Sequence, residues 1–315
     1  MTLVLGVDIG GTKIAAGLVT DDHEVIHYAS ASTPASAGAD AIISTVLDLA
    51  AHLRARVAPG DVVVSCGVGS AGVINPVTGI VTSATSSLSG WAGTPLRRRM
   101  SDGLGLPAAI VNDVHAHALG ESIAGAGRDA ESMLLIAAGT GIGGAIVVNG
   151  QLQLGAHGVG GHLGHIPSEE AAGLSCPCGR SGHLEAIASG PAIASRYLAE
   201  SSQSRSITSY EVFERAERGD ATAARVITTA AYALGRCIGG LVNTIDPERV
   251  VIGGGLAGSG TRWWNALTAG VAAETMPILT PQRLIPAALL TNAAVIGAAA
   301  FSRSTIHPRS ESRLL

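Results

Sequence analysis

The chain has 315 residues, 47% of them hydrophobic and 14% charged, with 42 glycines and a net charge of -4. That length calls for two domains or one duplicated unit, the apolar content excludes a disordered chain, and the charge gives nucleic acid no electrostatic reason to bind. Four cysteines, two of them in Cys176-Pro-Cys178, do not make a disulfide framework for a chain this long.

Residues 3–8 and 14–19 read as buried strands. Between them, Asp8-Ile-Gly-Gly-Thr-Lys13 sets a carboxylate, two glycines and a hydroxyl in a turn. Such a turn lets backbone N–H groups approach phosphate oxygens while Asp8 faces a metal ion or its bound water. Lys13 is the only lysine in the chain. An ordinary glycine-rich hairpin with a solvated lysine carries the same pattern. A third strand is expected over 23–30 and a helix over 39–56, broken by Pro59-Gly60. Val62-Val63-Val64 leads through Gly67-Val68-Gly69 to a loop at Asn75-Pro76, and Arg97-Arg98-Arg99 reads as a solvated helix face. A strand over 109–111 runs into Asn112-Asp113 and a helix over 114–124. A polar pair at the carboxyl end of a strand can face a cleft, and a helix N-cap pair has the same signature.

The opening pattern then recurs. A strand over 133–138 enters Gly139-Thr-Gly-Ile-Gly-Gly144 and leaves over 145–148. Strand, Gly-Thr turn, strand reads as an internal duplication with one phosphate-facing turn in each half, and chance similarity of two glycine hairpins is the competing account. The apolar run 134–148 is interrupted by glycines and is no membrane helix. Residues 185–245 are mostly helical, with a long amphipathic segment over 221–245 stopped by Asp246-Pro247. A strand over 249–252 precedes a third glycine turn, Gly253-Gly254-Gly255, and a final helix spans 293–303, leaving 304–315 as a flexible tail. The start lacks a basic segment and a cleavage site, so no signal peptide, no membrane partner and a cytoplasmic location are expected.

Taken together, Asp8 to Lys13, Asn112-Asp113, Gly139 to Gly144 and the segment 157–185 resemble the ROK family of sugar kinases over about residues 3–301. The resemblance implies an α/β, actin-like (ribonuclease H-type) ATPase fold, two lobes from a duplicated βββαβα unit with a cleft between. The small lobe would be 1–112, with helix 293–303 packing back on it, and the large lobe 113–292. ATP and Mg²⁺ are the implied cofactors, and a homodimer or homotetramer the implied assembly. Asp8 would hold Mg²⁺. Gly10, Gly11, Thr12 and Lys13, with Gly139, Thr140 and Gly141, would cradle phosphates, and Gly253, Gly254 and Gly255 would back the adenosine. Asp113 would be the general base for an attacking sugar hydroxyl, and Asn112 beside it a sugar contact. Gly72 and Thr85 fall where the family touches the sugar, while Val73 stands where some relatives place an arginine. No room precedes Asp8 for the helix-turn-helix domain of ROK repressors.

The segment His157-Gly-Val-Gly-Gly-His-Leu-Gly-His165, continued by Cys176-Pro-Cys178-Gly-Arg-Ser-Gly-His183-Leu-Glu185, departs from the family pattern twice. ROK proteins usually read Gly-Glu-x-Gly-His, then Cys-x-Cys-Gly-x-x-Gly-Cys-x-Glu. There the histidine and cysteines bind a structural zinc and both glutamates bind sugar. Here His183 replaces the third cysteine. His165, Cys176, Cys178 and His183 still form a Cys₂His₂ set competent for zinc, with the second nitrogen of His165 left for a sugar hydroxyl. His162 replaces the first glutamate, while Glu185 remains. A carboxylate accepts two hydroxyls, whereas a neutral imidazole offers one donor and one acceptor. That change argues against a standard glucokinase and resembles the bacterial N-acetylmannosamine kinases within ROK. Phosphorylation of the 6-hydroxyl of N-acetylmannosamine is therefore the expected activity. Glucokinase or another hexose kinase, a non-catalytic sugar-sensing regulator and a filament ATPase are the alternatives, and polyphosphate is an alternative donor to ATP.

Overall fold

In a computed structural model, which describes residues 1–85, 87–201, 205–279 and 283–306, the opening apolar runs pair as neighbours. They are β1 (Thr2–Ile9) and β2 (Lys13–Val19), followed by β3 (Val25–Ser32). The third strand starts two residues later than expected because 20–24 close a turn. His23 N–H donates to Thr20 O there, and His23 adopts φ 64°. Next come α1 (Ala39–Arg54), β4 (Val62–Ser70), the short pair β5 (Val73–Ile74) and β6 (Val81–Ser83), α2 (Leu96–Leu104) and β7 (Ala108–Asn112). The first sheet has the order β3-β2-β1-β4-β7. β1, β2 and β3 are antiparallel, whereas β1, β4 and β7 are parallel. Parallel strands must be covered on both faces, and the period-2 alternation of β1 shows how. Leu3, Leu5, Val7 and Ile9 join Ile42, Val46 and Leu53 of α1 in one core, while Val4 turns the other way to Val295 and Ala299.

Those last two residues lie on the final helix. α3 (Asp113–Ala124) follows β7 directly, and α9 (Ala293–Ile306) closes the chain against β1, β4 and α3. Glycines make the fit possible. A Cβ on Gly67 would lie 1.8 Å from Ala298 O, and one on Gly297 would lie 1.7 Å from Ala116 O. The backbone of α9 therefore rests directly on the backbone of β4 and of α3, with no side chain between.

The second sheet comprises β8 (Ser132–Ala138), β9 (Ile142–Val148), β10 (Gln151–Leu152), β11 (Arg249–Gly253) and β12 (Leu284–Pro286), in the order β10-β9-β8-β11-β12. Position by position this repeats β3-β2-β1-β4-β7, so the duplication read from the glycine turns is present in the strand order. Between β10 and β11 run α4 (Glu185–Ala188), α5 (Gly190–Glu200), α6 (Ser209–Glu217) and α7 (Ala221–Ile245), and α8 (Thr261–Glu274) packs along α7.

The chain divides into two compact units. One comprises Met1–Glu131, Ile146–Gly160 and the chain from Ala288 onward, the other Ser132–Ala145 and Gly161–Ala287. α3 thus belongs with the first unit instead of opening a second one after 112, because it packs on α9 and β4. The final helix runs three residues past 303, so 304–306 are helical, and 307–315 of the expected tail lie outside the described residues. The arginine run is a solvated face only in part, with Arg98 exposed. Arg97 donates to Val77 O and Pro76 O, tying the β5–β6 connection to α2, and Arg99 pairs with Asp40 at 2.7 Å. No described helix is long and apolar enough to cross a membrane.

Candidate active site

In the first unit the carboxyl ends of β1, β4 and β7 come side by side, with Asp8 opposite Gly69 and Ser70 opposite Asn112. Asp8 keeps some exposed area but is hemmed in by protein on most sides. Its carboxyl is pushed up to about 7, first by burial and then by the charge of Asp113, with Lys13 pulling the other way. Asp113, the first residue of α3, is also raised by burial, against hydrogen bonds from backbone N–H groups and Asn112 that favour its charged form. Two mutually repelling carboxyls in a desolvated place suit proton acceptance and cation binding near neutral pH.

The first glycine turn is closed by Gly10 N–H donating to Lys13 O at 3.0 Å and tied to the end of β3 by Thr33 Oγ1 donating to Gly10 O at 2.7 Å. Gly11 and Thr12 form its tip, and the Lys13 ammonium lies 5.4 Å from the ring centre of Tyr28, a cation–π distance. Asn112 is a helix cap. Its Oδ1 accepts from Val114 N and His115 N, and its Nδ2 donates to Gly72 O at 2.9 Å. The cap reading of Asn112 is thus realised: its oxygen serves α3, and its amide donates to Gly72 O and to the Asp113 carboxylate. Gly72 sits at φ +99°, and buried Trp91 fixes the strand end before it by donating to Ser70 Oγ and Ala71 O. Thr85 is exposed and shares a 2.6 Å hydrogen bond with Ser87, which lies beside Gly11.

In the second unit, Gly139 N–H donates to Gly141 O, and Gly139 O accepts from Gly190 N at the start of α5, which Ser189 caps. Gly253 ends β11. Gly254, at φ +84°, lies against the end of β8, where a Cβ would come within 2.3 Å of Ala138 O. A cavity of about 1020 Å³ runs from Gly139, Thr140 and Gly255 to Tyr210, Phe213 and Glu217 of α6. Glu185 Oε2 accepts from Ile142 N at 2.9 Å, which anchors this carboxylate beside Gly141. His162 is half-buried and precedes the short helical turn Leu163–His165.

The donor atoms of His165, Cys176, Cys178 and His183 all lie within 4.8 Å of one another. Cys176 Sγ is 3.7 Å from His165 Nδ1, and Cys178 Sγ is 3.2 Å from His183 Nδ1. Tetrahedral zinc with its usual bond lengths has donor–donor edges of about 3.3–3.8 Å; these two contacts lie near that range, and the donor types suit that ion. Burial pushes the Cys176 thiol up to about 11; such a thiol ionises readily only beside a cation. The sulfurs meet the Nδ1 atoms, leaving Nε2 of His165 directed elsewhere. Glu169 and Glu170 in the same segment, and Glu274 of α8, all pair with Arg236 of α7 and brace the segment on the helices.

The model of the ROK family matches residues 4–305. The chain belongs to the ROK family. It is 33% identical to the glucokinase of Halalkalibacterium halodurans, over 93% of this chain and 92% of that protein. It is 32% identical to the N-acetylmannosamine kinase of Yersinia pseudotuberculosis, over 96% and 99%. A crystal structure of the ROK glucokinase of Streptomyces griseus in complex with glucose and AMPPNP superposes with a TM-score of 0.77 at 28% identity, covering 96% of this chain and 99% of that one. The fold is accordingly that of the actin-like ATPases, and the chain stands among the ROK sugar kinases.

Within each unit this ROK chain brings the expected residues together: Asp8, the Gly10–Lys13 turn, Gly72, Asn112 and Asp113 in one, and both later glycine turns, Glu185 and the metal set in the other. Sequence reasoning missed the far wall of the large cavity. Ser189-Gly190-Pro191 carried a usable signal, an N-cap serine followed by proline in the first helical turn. Nothing local marked Tyr210 and Phe213 as cavity residues, because α6 reads as an ordinary helix opened by the Thr208–Glu211 capping box.

Proposed function

We propose that this ROK kinase transfers the terminal phosphoryl group of ATP to the 6-hydroxyl of N-acetylmannosamine, giving the 6-phosphate in sialic acid breakdown. The observation that carries phosphoryl transfer is the pair Asp8 and Asp113, two crowded carboxyls held above their usual range at the ends of parallel strands. Phosphoryl transfer needs positioning and charge neutralisation more than covalent help. Asp113 would take the proton of the 6-hydroxyl as that oxygen bonds to phosphorus, and a raised carboxyl is the better acceptor near neutral pH. Magnesium, with Asp8 as its protein ligand, would neutralise phosphate charge. With Gly10 and Gly139 closing the two turns, the backbone N–H groups of Gly11 and Thr12, and of Thr140 and Gly141, would orient the phosphates beside Lys13. The cavity beside Gly255, at the end of the Gly253-Gly254-Gly255 turn, offers apolar walls in Tyr210 and Phe213 that suit a nucleoside, which favours ATP over polyphosphate.

Glu185, His162, Gly72, Thr85 and Asn112 would contact the sugar. Zinc on His165, Cys176, Cys178 and His183 would set the angle of the His165 ring, whose Nε2 would meet a hydroxyl. His162, in place of a carboxylate, carries the substrate choice, since one donor and one acceptor suit an acetamido sugar better than a vicinal diol. Glucose is the second reading, favoured by the equal likeness to a glucokinase. A coupled ADP-release assay with Mg-ATP against N-acetylmannosamine, glucose, mannose and N-acetylglucosamine decides between them. A kcat/KM highest for N-acetylmannosamine is expected. Preference for glucose overturns the substrate choice, and ATP binding without turnover on any sugar overturns the enzyme reading.

A further inference from the structure

The first turn of α3 holds more than the proton acceptor. His115, two residues after Asp113, is 1% exposed, and its Nε2 lies 2.6 Å from Gly160 O. A carbonyl only accepts, so the ring nitrogen at this contact carries the proton and donates. Burial holds the ring below its ordinary pKa, which keeps it neutral at pH 7 with that proton on Nε2.

The segment gripped in this way has little slack. Gly160 N–H donates to Leu154 O at 2.8 Å. A Cβ on Gly160 would lie 2.0 Å from Gln153 O, and one on Gly158, at φ +74°, 2.2 Å from Ile74 O. Ile74 belongs to β5, just after Gly72, whose carbonyl Asn112 holds. One helical turn therefore pins two backbone carbonyls, Gly72 through Asn112 and Gly160 through His115, with Asp113 between the two pinning residues. Gly160 stands two residues before His162.

We propose that His115 is a positioning residue for sugar selection: by fixing Gly160 it sets where His162 presents its imidazole. The proposal rests on the kinase reading and on His162 as a sugar contact. Full-length His115→Leu and His115→Gln are compared with the wild type on N-acetylmannosamine and on glucose. Leucine fills the space without donating, whereas the glutamine amide can place an N–H near the position of Nε2. His115→Leu should raise the sugar KM roughly fivefold, as loss of one buried hydrogen bond implies, and shift the ratio of kcat/KM between the two sugars by a similar factor. The KM for ATP and the kcat at saturating sugar should stay within about twofold, and His115→Gln should restore most of the loss. Gly158→Ala, which pushes the same segment from its other side, should raise the sugar KM as well. Wild-type sugar KM and selectivity in His115→Leu would overturn the proposal. So would a fall in kcat with KM unchanged, which would place the effect on Asp113, or equal losses in both variants that track melting temperature alone. If the wild type prefers glucose, the substrate choice fails on its own, and the glucose KM of His115→Leu still decides the role of His115.

Discussion

Asp8→Asn separates the binding role of this carboxylate from its cost to the fold. In the folded chain Asp8 titrates near 7, against 3.8 for the unperturbed group, a gap of about 3 units or ~4 kcal/mol. The folded state holds this proton more tightly than the unfolded chain does. The site therefore costs nothing below pH 3.8, and stability declines as pH rises from there through 7. The loss is ~2 kcal/mol at pH 5 and ~4 kcal/mol at pH 8. Solvent at the partly exposed carboxyl reduces the pH 8 figure to roughly 2–4 kcal/mol. Without magnesium, Asp8→Asn should thus melt above the wild type at pH 8, by about 3–6 °C for a chain of this size. The two should converge as the pH approaches 4. Magnesium should raise the melting temperature of the wild type and leave the variant unmoved, because only the wild type has the charge to bind it. Dye-monitored melting from pH 4 to 8.5, with and without magnesium, reads all of this. A difference between the two proteins that is flat across pH would refute the reasoning, because a packing effect does not titrate.

Asp113→Asn should lower kcat about 10²- to 10⁴-fold with little change in the KM for ATP, measured by ADP release, since it removes the proton acceptor and leaves the nucleotide contacts. In the wild type, kcat/KM should fall as the pH drops below about 7, because Asp8 then takes up a proton, and Asp113, also held above its ordinary value by burial, deepens the fall. Cys178→Ser should lose most of the one zinc per chain that metal analysis by mass spectrometry should find in the wild type, and should melt lower, because three donors remain of four; a wild-type chain purified in zinc and still free of it would refute the metal assignment. His162→Glu should raise kcat/KM for glucose relative to N-acetylmannosamine by about tenfold, one good hydrogen-bonded contact to a charged group, and an unchanged ratio would remove His162 from substrate choice.

The strands were legible because burial on both faces leaves uninterrupted apolar runs, as in Leu3 to Val7 and Met133 to Ala138, and because glycine turns punctuate them. The duplication was legible for the same reason, since both halves repeat strand, Gly-Thr turn, strand. The candidate metal set was legible through the resemblance to the ROK pattern, which picks out four His and Cys residues within nineteen positions. Where the sequence reading slipped, tertiary contact had overruled a local signal. Arg97 reads as a surface cation, yet it spends its donors on the carbonyls of Pro76 and Val77. Asn112 reads equally as cap and as ligand, and only the fold shows that its oxygen serves the helix while its nitrogen holds Gly72. The helix after Asp113 reads as the start of a new lobe, but glycine-mediated contact with α9, from nearly two hundred residues away in the chain, keeps it with the first. Chemistry carried by residue type, periodicity and short spacing is written locally and can be read from the chain. The unit a helix joins, the atoms an amide has left over and the wall that completes a cavity depend on backbone brought together from distant sequence, and only the packed structure decides them.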